Sequence, residues 1–180
     1  MKRALIVVDY VYDFVSDDGK LTCGKVAQNI DLAIVNLIHE FERSGDLVVE
    51  ATDCHDFSDI YNAERLMFPL HCYDEKGREL YGKTKLAIKE LPRNQYLKID
   101  KNRYSAFFAT PLNLKLKERF IKEIHIVGVC TDICVLHTAI EAYNLGYKVI
   151  VHKDGVASFN QSGHAYTFDH IINVLGGEVR

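Results

Sequence analysis

The stretch EIHIVGVCTDICVLHTAIEAYNLG, residues 123–146, states the architecture in miniature. Its first seven residues, 123–129, read as a short strand buried on both faces. No turn sequence follows. The chain passes directly into a segment with Ile133, Leu136, Ile140 and Tyr143 at helical spacing, which predicts a helix over 132–145 ended by Gly146. A buried strand that feeds a helix is half of a βαβ unit, and such units pair their strands in parallel through right-handed crossovers.

The same alternation runs outward in both directions. ALIVV (4–8), LVVEAT (47–52), QYLKI (95–99) and KVIVHKD (148–154) read as strands. Residues 29–44 carry Ile30, Ala33, Ile34, Leu37, Ile38 and Phe41 at helical spacing before Gly45. Further helices are predicted over 111–120 and 162–175, residues 83–89 read as a short helix or a turn, and there is room for a short terminal strand after the last helix. The fold class is therefore α/β: a three-layer α/β/α, Rossmann-like fold with a mainly parallel central sheet. No internal repeat, low-complexity tract or linker interrupts the chain, so one domain is expected over 1–180. Residues 53–76 show no clear period and are too long for a plain connector, which makes them a functional-loop candidate.

Composition narrows the function. A chain of 180 residues with 48% hydrophobic and 26% charged residues suits one sizeable core. The net charge of −3 and the lack of a basic stripe argue against nucleic acid as a partner. No apolar run approaches the roughly 20 residues that span a bilayer, and the apolar run after Met1–Arg3 ends at Asp9 without a cleavage site, so it reads as a first strand. Five cysteines, an odd number, do not suggest a secreted disulfide framework, and a cytoplasmic protein with reduced thiols is expected.

Ligands in open α/β sheets bind beyond the carboxyl ends of the strands, and five strand ends here carry polar or reactive side chains. Asp9 follows the first strand, Asp53 and His55 the second, Asp100 and Lys101 the third, Cys130 and Cys134 the fourth, and Asp154 the fifth. Five together favour an enzyme. Cys134 falls in the first turn of a helix, where backbone N–H groups and the helix dipole favour a thiolate and can receive an oxyanion. Local sequence weighs that reading evenly against a buried core cysteine, and Asp132 is a candidate first-turn acid or cap. His137 lies on the helix flank and reads as a packing or surface residue. Asp9, in the apolar context IVVDY, is the better base, because burial raises a carboxyl toward a useful pKa. Lys101 could hold a thiolate and a carboxylate in register. A Cys130–Cys134 metal pair lacks a second pair to complete a tetrahedral site.

In the loop ATDCHDFSDIYNAERLMFPLHC (51–72), Asp53 and His55 are two apart and face the same way in extended chain. With Glu64 and His71 they offer two carboxylates and two imidazoles, a donor set for Zn²⁺, Mn²⁺ or Fe²⁺. Cys54 and Cys72 are rival ligands, and a polar loop without metal is the plain alternative.

Several of these pieces together resemble the isochorismatase-like cysteine hydrolases, and within them the nicotinamidases: VVDYVYDF, the strand-end D-C-H, F-P-L-H-C, K-N-R-Y-S-A-F, GVCTDICV and DGVAS at 154–158. The resemblance spans nearly the whole chain. It implies Cys134 as nucleophile, Asp9 as acid and base, and Lys101 as the third member of a triad. It implies Asp53, His55, Glu64 and His71 as ligands of one divalent transition metal, zinc first, with manganese or iron as alternatives. Glu64 stands where the family commonly has a third histidine. Phe14 and Phe68, with Tyr104 nearby, become walls for a pyridine ring, although their plain reading is core packing. A cis peptide before Cys130 is also implied, with the Cys130 and Cys134 N–H groups forming an oxyanion hole. The expected activity is hydrolysis of nicotinamide to nicotinate and ammonia through a cysteine thioester, in NAD salvage, with pyrazinamide as a side substrate. A metal-free amidase or carbamoyl hydrolase, or a non-catalytic binding module, are the alternatives. The partner is a small molecule rather than nucleic acid or membrane, and a homo-oligomer is left open.

Overall fold

The computed structural model describes residues 2–56 and 58–180, so one position of the loop expected over 53–76, Phe57, lies outside the described residues. Six strands form one sheet: β1 (Arg3–Val8), β2 (Leu47–Asp53), β3 (Tyr96–Lys101), β4 (Glu123–Val129), β5 (Lys148–Ala157) and β6 (Glu178–Val179). Their order is β3-β2-β1-β4-β5-β6, and every pairing is parallel.

Side chains on a strand alternate between faces, so β1 supplies both cores. Ala4, Ile6 and Val8 join one apolar cluster with Leu112, Leu116, Ala139 and Ile171. Leu5 and Val7 join the other with Ile34, Ile38, Phe41, Ala87 and Ile88. The helices that cover these faces are α3 (Asp31–Arg43) and α5 (Gly82–Glu90) on one side, and α6 (Leu112–Glu118), α7 (Leu136–Asn144) and α8 (Gln161–Asn173) on the other. Among the described residues there are also three short α-helices: α1 (Tyr12–Val15), α2 (Lys25–Gln28) and α4 (Ala63–Met67). Their four or five residues are too few to show a helical period, and the sequence did not predict them.

From β1 the chain builds outward to β2 and β3, then returns to the far side of β1 as β4. That reversal opens a crevice beyond the carboxyl ends of β1 and β4. Gly128 permits the close approach there. Its φ is 113°, and a Cβ would lie 1.9 Å from the Val8 carbonyl oxygen, so no other residue fits.

Two expected strand-end residues do not reach the crevice. Asp100 is exposed and pairs with Arg78 at 2.7 Å. Asp154 lies within β5, which runs three residues further than predicted past a register shift, and it is exposed; Ser158 takes the strand-end position instead. Asp132 does not cap its own helix. Its carboxylate accepts from the Ser158 hydroxyl at 2.6 Å and the Asn160 amide at 3.0 Å, tying the start of the helix to the end of β5. Among the described residues no helix is long and apolar enough to cross a membrane.

Candidate active site

Four strand ends converge at the crevice. Asp9 stands one residue past β1 with φ 52°, its N–H donating to the Ala51 carbonyl at 2.9 Å. Asp53 and Lys101 are the last residues of β2 and β3. Cys134 lies in a π-helical turn, Thr131–Val135, that runs straight on into α7. All four are buried.

The Lys101 ammonium is the hub. It lies 2.7 Å from Asp9 Oδ2, pairs with Asp53 Oδ1, donates to the Arg103 carbonyl at 3.2 Å, and stands 3.9 Å from Cys134 Sγ. Asp9 Oδ1 accepts the Asp53 N–H at 2.8 Å. The sulfur and the two carboxylates all lie within 4.8 Å of one another. Burial raises the Asp9 carboxyl, and the Asp53 charge adds to it; Lys101 and a hydrogen bond to Cys134 oppose, leaving Asp9 at about 7. Burial pushes Asp53 up as well, but Lys101 and His55 more than compensate, so it remains below its ordinary range. Burial would neutralise Lys101, yet Asp53 and Asp9 hold it firmly protonated.

For Cys134 the outcome differs from the thiolate expected at a helix start. Burial, with Asp9 and Asp53 close by, raises the thiol well above its ordinary pKa despite Lys101. The sulfur sits a turn inside a closed site rather than over exposed N–H groups, so desolvation outweighs the dipole. The resting group is a thiol beside a carboxylate able to take its proton.

Next to this cluster, Asp53, His55, Glu64 and His71 bring one candidate ligand atom each within 4.8 Å of one another, all four residues buried. His55 Nε2 lies 3.7 Å from Asp53 Oδ2 and 3.6 Å from Glu64 Oε2, and His71 Nε2 lies 3.8 Å from Asp53 Oδ2. His71 Nδ1 is 2.7 Å from the Pro69 carbonyl. A carbonyl only accepts, so Nδ1 carries the proton and the Nε2 lone pair faces Asp53. His55 Nε2 and Glu64 Oε1 are buried without a hydrogen-bond partner among the described residues. These two orphaned buried atoms, within a close set of two imidazoles and two carboxylates, suit a divalent transition metal. The rival cysteines stay outside. Cys54 points to the other side of the strand end, its N–H on the Lys101 carbonyl at 2.7 Å. Cys72 is fully buried, its thiol pushed up by burial.

The three expected aromatics, Phe14, Phe68 and Tyr104, line one pocket together with Asp53, Glu64, His71, Cys130 and Cys134. The Phe14 ring lies 5.2 Å from that of His71. The Val129–Cys130 peptide is cis, and the Cys130 N–H has no hydrogen-bond partner among the described residues. His137 is exposed, its Nδ1 2.8 Å from the Ile133 carbonyl, away from the sulfur.

Some of the site is absent from the sequence reading. Leu21, Ile133 and Phe159 also line the pocket; Leu21 and Phe159 come from irregular segments without a signal, and Ile133 was read only as a residue of the helix period. Asn62 is buried, accepts the Glu64 N–H at 2.9 Å as the cap of α4, and lies 3.1 Å from His55 Nδ1. Its signal was present: an asparagine just before Ala-Glu-Arg-Leu-Met is a helix-start pattern. Asp13, also buried, accepts the Cys72 N–H at 2.8 Å and so anchors the segment that carries His71.

The profile of the isochorismatase domain matches residues 3–179. An uncharacterized isochorismatase family protein, PncA of Bacillus subtilis, is 52% identical over 99% of both chains. The crystal structure of the nicotinamidase/pyrazinamidase PncA from Bacillus subtilis superimposes with a TM-score of 0.95, at 46% identity, over 99% of both chains. The pyrazinamidase of Pyrococcus horikoshii in complex with zinc is similar at 27% identity and a TM-score of 0.86, over 100% of this chain and 99% of that one.

Proposed function

The chain belongs to the isochorismatase family, and we propose that it is a nicotinamidase, an amidohydrolase that converts nicotinamide to nicotinate and ammonia in NAD salvage, with pyrazinamide as a second substrate. One observation carries the reading: a buried thiol, carboxylate and ammonium adjoin, through Asp53, a second buried set of two imidazoles and two carboxylates, and Cys134, Asp53, Glu64 and His71 line one pocket. Amide hydrolysis through sulfur uses the first set. The second distinguishes a site that anchors a pyridine nitrogen from one that only cleaves amides.

Asp53, His55, Glu64 and His71 would hold one divalent transition metal, zinc first, which supplies a Lewis acid for the ring nitrogen. Phe14 and Phe68 flank the ring with Tyr104 beside it, offering their faces to an aromatic heterocycle. The carboxamide carbon is thereby set against Cys134 Sγ, and positioning of this kind removes a large part of the barrier. Asp9 accepts the thiol proton as sulfur attacks. The oxyanion lies against the N–H groups of Cys130 and Cys134, where losing one donor typically costs about 2.7–4 kcal/mol. Asp9 returns the proton to the leaving ammonia and then activates the water that hydrolyses the thioester. Lys101 stays protonated and offsets the negative charge that collects on Asp9, Asp53 and Cys134. We further take 1–180 as one hydrolase domain that works in the cytoplasm, in keeping with five unpaired cysteines among the described residues.

The test is product analysis with and without metal. Protein as purified should convert nicotinamide to nicotinate, carry roughly one transition metal per chain as a four-ligand site allows, and lose turnover on chelation until zinc is restored. Chelated, metal-free protein that still turns over at the full rate contradicts the reading.

A further inference from the structure

Two buried thiols beside this pocket have no part in the reaction above. The sulfurs of Cys23 and Cys130 lie 3.0 Å apart, 107 residues distant in sequence, with the two residues only 8% and 7% exposed. We propose that Cys23 and Cys130 form a peroxide-oxidisable thiol pair whose disulfide shuts the active site.

The placement separates this pair from ordinary core cysteines. Cys130 follows the last residue of β4 and lines the pocket, and its N–H is one of the two assigned to the oxyanion. Cys23 sits in a turn between exposed Thr22 and half-exposed Gly24, whose φ is 66°. Its N–H donates to the Phe14 carbonyl at 2.8 Å, and Leu21, two residues before it, is a pocket wall. Each sulfur is therefore attached to backbone that shapes the substrate site, one directly after a strand end and one in a surface turn.

Bond formation requires the sulfurs to close from 3.0 Å to about 2.05 Å. The turn at 21–24 and the backbone at Cys130 must absorb that contraction of about 1 Å, so Leu21, Phe14 and the oxyanion donor all move relative to Cys134.

The hydrogen bond to Cys130 lowers the Cys23 thiol against the opposing effect of burial, which makes Cys23 the sulfur that ionises first. Its thiolate attacks one oxygen of hydrogen peroxide, the O–O bond breaks, and the departing hydroxide takes up the thiol's proton as water, leaving a Cys23 sulfenic acid. The Cys130 sulfur then displaces hydroxide from that sulfenic acid, forming the S–S bond as its proton passes to the leaving oxygen. Two thiols lose two electrons and one peroxide becomes two waters. A dithiol reductant reverses the process.

The loss of turnover rests on the functional reading above, whereas the pairing rests on the sulfur positions alone. Metal-loaded wild type and Cys23→Ser are treated with hydrogen peroxide, alkylated, digested and mapped by mass spectrometry, with nicotinamide turnover measured in parallel. The linked Cys23–Cys130 peptide, two mass units lighter than the sum of its reduced parts, should accumulate in wild type. Turnover should fall roughly 10–100-fold at the same rate, as expected for a displacement of about 1 Å, and return with dithiothreitol. Cys23→Ser should keep its activity through the same treatment, and Cys23→Ala serves if the serine variant folds poorly. Peroxide that oxidises Cys134 while Cys23 and Cys130 remain alkylatable overturns the proposal, as does equal inactivation of the Cys23 variants. A linked peptide with undiminished turnover overturns the closure. If the chain proves not to hydrolyse nicotinamide, the peptide map still decides the pairing.

Discussion

The Asp9 carboxyl is raised mainly by burial and then by the neighbouring Asp53 charge, with Lys101 and Cys134 pulling the other way, to about 7. Its base form is the ionised one, so it populates above that value and drops roughly tenfold for each pH unit below it. The pH profile of kcat/KM for nicotinamide should therefore show an acid limb centred near 7. Asp9→Asn, which has no such base, should lose roughly 10²–10⁴-fold in kcat; a variant within a few-fold of wild type would remove Asp9 from proton transfer. Residues of this kind were legible in the sequence because a polar side chain directly after a buried strand is conspicuous. The state of Cys134 was not, since whether burial or a helix start governs a thiol depends on the closure of the site around it.

At the level of elements, the short helix α4 sets two metal-ligand candidates at once. Asn62 caps it through the Glu64 N–H and also contacts His55. Groups that orient ligands from behind typically matter 10–100-fold in metal affinity. Asn62→Ala should therefore weaken zinc binding by roughly that factor in a chelator competition, with about 1 kcal/mol lost from the cap. Unchanged zinc affinity would leave Asn62 as a cap alone. The long helices and strands were readable because their periods repeat over many residues, as with Ile34, Ile38 and Phe41 on the buried face of α3. The helices α1, α2 and α4 complete barely one turn, and the over-run of β5 past its register shift follows from pairing with β4, which no local pattern encodes.

For the molecule as a whole, both apolar clusters draw on alternate residues of β1 and β4, so neither face of the sheet can lose its helices without exposing the strands that the other face also uses. Thermal unfolding followed by far-ultraviolet and near-ultraviolet circular dichroism should give coincident single transitions; two separated midpoints would divide the chain into independent units. The mainly parallel three-layer fold was legible, because buried strands alternating with helices admit few arrangements; the strand order, and with it the crevice beyond β1 and β4, follows from pairings between distant segments that no local pattern encodes. The most direct test of the central claim is ammonia release from nicotinamide by wild type and Cys134→Ala, with Cys130→Ala alongside. Cys134→Ala should fall to the uncatalysed background while Cys130→Ala, which keeps its backbone N–H, retains much of the rate; equal rates for wild type and Cys134→Ala would contradict the account.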